Sequence, residues 1–140
     1  MLKNIYNETI TILNKLKRAD SVLGKDVWHK TVLTDAAWYT NSERDVNGSS
    51  VYIGTYKKVF LPFHDDFLPY IKWKQAGQQD GKYTISTGDY IVRGEVEEAI
   101  TADNIVKTME KYGENVCLVK HYKELHDRFG ATVQVYVEGV

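Results

Sequence analysis

The chain has 140 residues, 43% of them hydrophobic, and a formal net charge of -1. That is enough for one domain with one core, and residues 1–140 read as a single unit. No apolar run approaches the roughly 20 residues of a membrane helix, and no basic excess marks a sequence-specific nucleic-acid binder.

The start, MLKNIYNETI, lacks the basic-then-apolar order of a signal peptide, so the expected setting is cytosolic. The nearest basic cluster is Lys15, Lys17 and Arg18 with Lys3 upstream, which reads as a solvated strand end. ETITILNKLK (8–17) alternates, with Ile10, Ile12 and Leu16 on one side and Thr9, Thr11 and Lys15 on the other, which predicts a strand. RADSVLGKD (18–26) carries turn residues and predicts a long, mobile hairpin tip before a second strand, VWHKTVL (27–33). AAWYTNSER (36–44) and VYIGTYKKVFLP (51–62) follow as separate strands around VNGSS. Asn47-Gly48 is the turn signal there, because both residues tolerate positive φ.

VFLPFHDDFLPYIKW (59–73) holds both prolines of the chain and five aromatic rings around His64-Asp65-Asp66. Phe63, Phe67, Tyr70 and Trp73 supply stiff apolar surface of a kind enriched at interfaces, and Pro62 and Pro69 limit the entropy lost on ordering. Two readings stand: a lid over the barrel's open end, or a protein-docking loop formed by Phe63, Asp66, Phe67, Tyr70 and Trp73 with His64-Asp65-Asp66 as its wet tip.

GQQDGK (77–82) predicts a polar turn, and KYTIS (82–86) and DYIVRGEV (89–96) predict strands. The run after them predicts one short helix, about 102–112, with Ile105, Val106, Met109 and Tyr112 on its apolar stripe. Thr101 or Asp103 can cap it and Gly113 can end it. NVCLVKHY (115–122) and ATVQVYVEGV (131–140) are the last strands, with Val133, Val135 and Val137 sharing a face. Ten tyrosines spread through these alternating segments, consistent with β structure. The expected fold is mainly β, a small antiparallel barrel or sandwich of seven to nine strands with one short helix and long loops.

The sequence carries no converging set of groups that assigns a catalytic, cofactor or metal site. His29, His64, His121 and His126 show no ligand spacing. Cys117 sits in the apolar run VCLV and reads as a buried structural thiol; His121, four positions on, lies roughly 13 Å away along a strand. Gly88, Gly94 and Gly113 read as turns or caps rather than a phosphate loop. Glu95, Glu97 and Glu98 read as a solvated loop, or as charge favouring the N-terminus of the following helix. A site at the barrel mouth near His64 and Asp66 is the one enzymatic or ligand-binding alternative.

Taken together, TITILNK, DVWHKTVL with Trp28 and Trp38, and a run of matched positions resemble an uncharacterised family of structural proteins. It belongs to tailed bacteriophages and prophages of Gram-positive bacteria. The run is Leu61-Pro62, Trp73, Tyr83-Thr84, Ser86, Gly88-Asp89, Val92 and Gly94-Glu95. In layout the chain is similar to head-closure (stopper) and head–tail joining proteins. The resemblance implies a non-enzymatic virion protein of the head–tail connector, or else a tail-terminator or minor capsid protein. It implies a homo-oligomeric ring in the virion, with a monomer in isolation compatible. Partners would be portal, adaptor or tail-side proteins, with packaged DNA contacted in the channel. Assembly would take place in the host bacterial cytoplasm.

Overall fold

The computed structural model describes residues 6–47, 50–77 and 81–140, with the backbone alone described for 41–47 and 50–55. Six antiparallel strands close into a barrel in the order β1-β2-β3-β6-β5-β4. They are β1 (Glu8–Leu16), β2 (Val27–Asn47), β3 (Ser50–Pro62), β4 (Tyr90–Arg93), β5 (Val116–His126) and β6 (Thr132–Gly139). Two helices interrupt them, α1 (Tyr70–Gln75) and α2 (Ile105–Tyr112). The antiparallel barrel and the helix near 102–112 match the sequence reading. The strand number does not, for two reasons.

First, 27–33 and 36–44 are one continuous strand. The register of β1 on β2 shifts between Ile10↔Leu33 and Glu8↔Ala36. This bulge lets β2 bend around the barrel, leaving β1 as partner at Ala36 and following β3 from Ala37 onward. Second, KYTIS is not a strand. Tyr83 makes a single parallel bridge to Phe67, and 84–86 carry no ladder. The predicted turn at 47–50 has Asn47 paired with Ser50; Gly48 lies outside the described residues, as do 78–80 of GQQDGK.

β1 is buried on both faces, which its alternation does not suggest. Ile10 and Ile12 point into the barrel with Trp38, Val59, Leu61, Ile91, Cys117, Val119, Val135 and Val137. Leu13, on the opposite face, joins a second apolar cluster with Val92, Val96, Ile105, Met109 and Val116. α2 forms this outer layer. Thr101 and Asn104 exchange side-chain to backbone hydrogen bonds ahead of it, a capping box that uses the predicted Thr101. Gly113 ends it at φ 57°. Its apolar stripe is Ile105, Met109 and Tyr112; Val106 is exposed, because the barrel lies on the other side of the helix.

The acidic run serves the far end of α2 rather than its N-terminus. Glu98 accepts from Lys111 Nζ and from the Tyr112 hydroxyl in the last turn. These two donors hold its carboxyl down to about 2. Lys30 Nζ donates to the Val96 carbonyl at 2.8 Å and fastens the same segment to β2.

At Gly139 the end of β6 runs close against β5. A Cβ there would sit 2.0 Å from the Leu118 carbonyl oxygen and 2.7 Å from Cys117 Sγ. Gly139→Ala is therefore expected to lose about 1–3 kcal/mol through forced strand separation. Urea unfolding measures this, and an unchanged midpoint would show that the strand end yields freely. Cys117 itself is buried, as expected, and burial pushes its thiol up to about 11.

Candidate functional site

The segment from Pro62 to Asp89 caps one end of the barrel. β3 hands over to it through Phe63 N–H, which donates to the Val133 carbonyl at 3.2 Å. The chain then doubles on itself. Leu68 N–H donates to the Tyr83 carbonyl at 2.8 Å, and Tyr83 N–H to the Asp66 carbonyl at 3.0 Å. Phe67 is 6% exposed and packs against Tyr83, itself 1% exposed, with ring centroids 5.9 Å apart.

Pro69 then opens α1 instead of breaking the chain, since a residue ahead of the first turn has no helical N–H to lose. α1 buries Trp73 completely, edge-on to His29 at 5.4 Å. The Tyr70 hydroxyl donates to Asp20 Oδ2 at 2.7 Å, and Lys74 Nζ reaches Asp20 Oδ1 at 3.1 Å. α1 is thereby tied to the 18–26 hairpin tip, which Arg18 N–H closes on Asp26 at 2.8 Å. Val22 and Leu23 at that tip, and Ile71 on α1, are exposed.

The five residues grouped as a docking loop thus separate. Phe67 and Trp73 are buried among the core residues, as a lid would bury them. Phe63 is 38% exposed. Asp66 is exposed and pairs with Lys82 at 2.9 Å. Tyr70 is half-buried against the hairpin tip. The loop is also partly helical, which the two prolines concealed.

His64 is not a wet tip. Its Nε2 lies 2.7 Å from Asp35 Oδ2, and its Nδ1 lies 2.9 Å from the Tyr83 hydroxyl. Burial, with Asp35 and Asp66 nearby, raises the Tyr83 phenol far above its ordinary range. The Asp35 carboxylate can only accept, so Nε2 carries a proton and donates it, and the Tyr83 hydroxyl engages the other ring nitrogen. Nε2 pins the lid to β2 and Nδ1 ties the two halves of the lid together, while Asp66 turns to Lys82 instead. Asp35 and Tyr83 carry no sequence signal that would have paired them with His64, because they lie 29 and 19 residues away in the chain.

A second polar knot lies beneath the lid. Asn14 points inward from β1 and is 1% exposed. Its Nδ2 donates to the Thr84 carbonyl at 2.6 Å and to Asp89 Oδ2 at 2.9 Å, while its Oδ1 accepts from Thr84 N–H at 3.2 Å. Asp89 also accepts from Lys15 N–H and Ser86 N–H, each at 3.0 Å. Burial pushes its carboxyl up to about 6 against the pull of these donors. Gly88, at φ 96°, makes the turn that aims Asp89 inward.

On the outer wall, Tyr39, Phe60 and Tyr136 form an aromatic strip across β2, β3 and β6, with centroid spacings of 5.8 and 5.0 Å. Lys123 lies 5.7 Å over the Tyr136 ring. Lys58, His121 and Glu138 complete a shallow groove of mixed charge. Among the described residues no group of three or more His, Cys, Asp or Glu is placed to hold a metal ion, and no helix is long and apolar enough to cross a membrane.

A family model described as a family of unknown function, DUF6751, matches residues 5–140. The chain belongs to the DUF6751 family. The match takes in every strand and both helices, so the DUF6751 unit is the whole barrel with its lid and outer helix. No curated protein and no solved structure matches the chain. In this DUF6751 barrel the Leu61-Pro62 and Tyr83-Thr84 to Gly88-Asp89 positions bound the lid. They also supply Tyr83 and Asp89, the two polar anchors that hold it.

Proposed function

We propose that this DUF6751 chain is a non-enzymatic assembly protein of tailed-phage or prophage virions, acting in the head–tail connector region through ring formation and protein contacts. The observation that carries the reading is the length of the β2–β3 hairpin. Its pairing runs from Ala37↔Phe60 to Asn47↔Ser50, whereas β6 accompanies β3 only from Lys57 to Pro62. Seven pairs, Asn41↔Tyr56 to Asn47↔Ser50, therefore extend past the barrel wall as a two-stranded ribbon of about 23 Å. A two-stranded ribbon gains little stability alone. A contact outside the barrel would give it a use.

The sequence likeness to phage structural proteins supplies the setting: the virion, with portal, adaptor or tail proteins as neighbours and assembly in the host cytoplasm. A tail-terminator or minor capsid position uses the same features. Deleting the gene in an inducible prophage tests the reading. DNA-filled heads without tails are expected under electron microscopy, with the protein present in wild-type virions by mass spectrometry. Normal infectious particles from the deletion strain would sink it.

A further inference from the structure

The two edges of the ribbon differ in a way that points to a use. The segment on the β2 side, NSERDVN (41–47), carries Glu43, Arg44 and Asp45. The segment on the β3 side, SVYIGTY (50–56), has no charge and no proline. Exposed strand edges in natural proteins are blunted by lysine, proline or a covering element, because bare edges pair with other chains. The β3 edge has none of these among the described residues, and its sequence is rich in β-branched and aromatic residues.

The direction of its backbone groups follows from the ladder. Phe63 N–H donates towards β6, to the Val133 carbonyl. In an antiparallel strand the amide and carbonyl of one residue point the same way, and alternate residues point oppositely. Odd-numbered residues of β3 therefore turn their amides to the β6 side. The β2–β3 register has no shift from Ala37 to Asn47, so the same parity holds along the ribbon. β6 ends opposite Lys57. Beyond it, Val51, Ile53 and Thr55 present N–H and C=O groups to an edge with no strand beside it among the described residues.

We infer that this edge, residues 50–56, is a strand-pairing surface for the ribbon of a second copy of the same chain. A closed barrel leaves few other edges to offer. A second copy brings a ribbon of the same length and twist, so the outward amides of both find partners about a twofold axis; this closes a pair of chains and leaves ring closure to other contacts. The aromatic strip of Tyr39 and Phe60 ends at the base of this ribbon, so paired copies would bring those rings towards each other's neighbourhood. The inference rests on the assembly reading for its setting, but it is tested in the purified chain without any phage.

The test is light scattering and sedimentation of the full chain and two variants. Ile53→Pro removes an outward donor while leaving the bonds to β2, whose partners on β3 are the even-numbered residues. Thr55→Lys adds an edge charge without touching the backbone, and serves where the proline variant folds poorly. The wild type is expected to self-associate in a concentration-dependent way. Each variant should weaken this by about tenfold or more, with far-UV circular dichroism unchanged. A wild type that stays monomeric at every concentration, or variants that keep the wild-type mass, would overturn the pairing. An intact pairing beside normal phage from the deletion strain would instead overturn the connector role alone.

Discussion

Trp73→Ala is expected to destabilise the protein by about 3–5 kcal/mol, near the upper end for a single core substitution. The indole is fully buried, and it is the one fully buried residue of α1. A six-residue helix does not persist on local hydrogen bonds alone. Losing the indole therefore leaves a cavity and frees the lid that α1 anchors. The substitution should lower the urea midpoint and weaken protection of the 63–77 amides against hydrogen exchange. A contrasting variant sharpens the reading. Trp73 Nε1 is buried with no hydrogen-bond partner among the described residues, which carries a desolvation cost. Trp73→Phe removes that cost and keeps a ring, so it should lose far less than Trp73→Ala. Equal losses in the two variants would show that the indole's volume is not what matters. A Trp73→Ala protein of full stability would show that the ring is not core.

Asp89 gives the second large effect, as a dependence on pH. Burial raises its carboxyl from an ordinary value near 3.8 to about 6. Between those values the folded chain holds a proton that the unfolded chain has released. Stability is thus fully supported by this group below about pH 4 and declines as pH rises through about 6. The raised value corresponds to about 3 kcal/mol across the window. Asp89→Asn cannot titrate there. Its amide also cannot accept from all three donors that Asp89 serves, so it should start about 1–3 kcal/mol less stable at low pH. The difference between wild type and Asp89→Asn should then shrink as pH rises from about 4 to about 7. Urea unfolding of both across that range measures it, with the Asp89 carboxyl followed by NMR. A constant difference would mean that the three donors hold the carboxylate ionised throughout.

What the sequence exposed and what it hid divide along physical lines. Alternation in 8–17 and in Val135 and Val137 was legible because each residue's side is fixed by its own strand. The helix at 105–112 was legible from its stripe, its Thr101 cap and its terminal glycine. Whatever depends on a distant partner was not legible. Leu13 gave no sign of its burial, because α2, which covers it, lies some ninety residues on. KYTIS alternates like a strand, yet the groups that satisfy the Thr84 backbone are the carboxamide atoms of Asn14, a side chain standing in for a neighbouring strand's peptide. Thr34-Asp35 looked like a break between strands and is where β2 bends. In the lid, prolines and aromatics were visible as a group. Their division into core and surface required the position of β2 and of the 18–26 tip.

The order of strands around the barrel has a kinetic consequence. β1, β2 and β3 form one meander and β4, β5 and β6 another, and they meet along two seams, β1–β4 and β3–β6. Both seams join residues some 70 to 85 positions apart, as in Ile10↔Arg93 and Leu61↔Val135. Such pairings incur their chain-entropy cost before they return any burial, which slows folding. During synthesis the sheet of β1 to β3 therefore waits, with its β3 flank bare, until β6 leaves the ribosome.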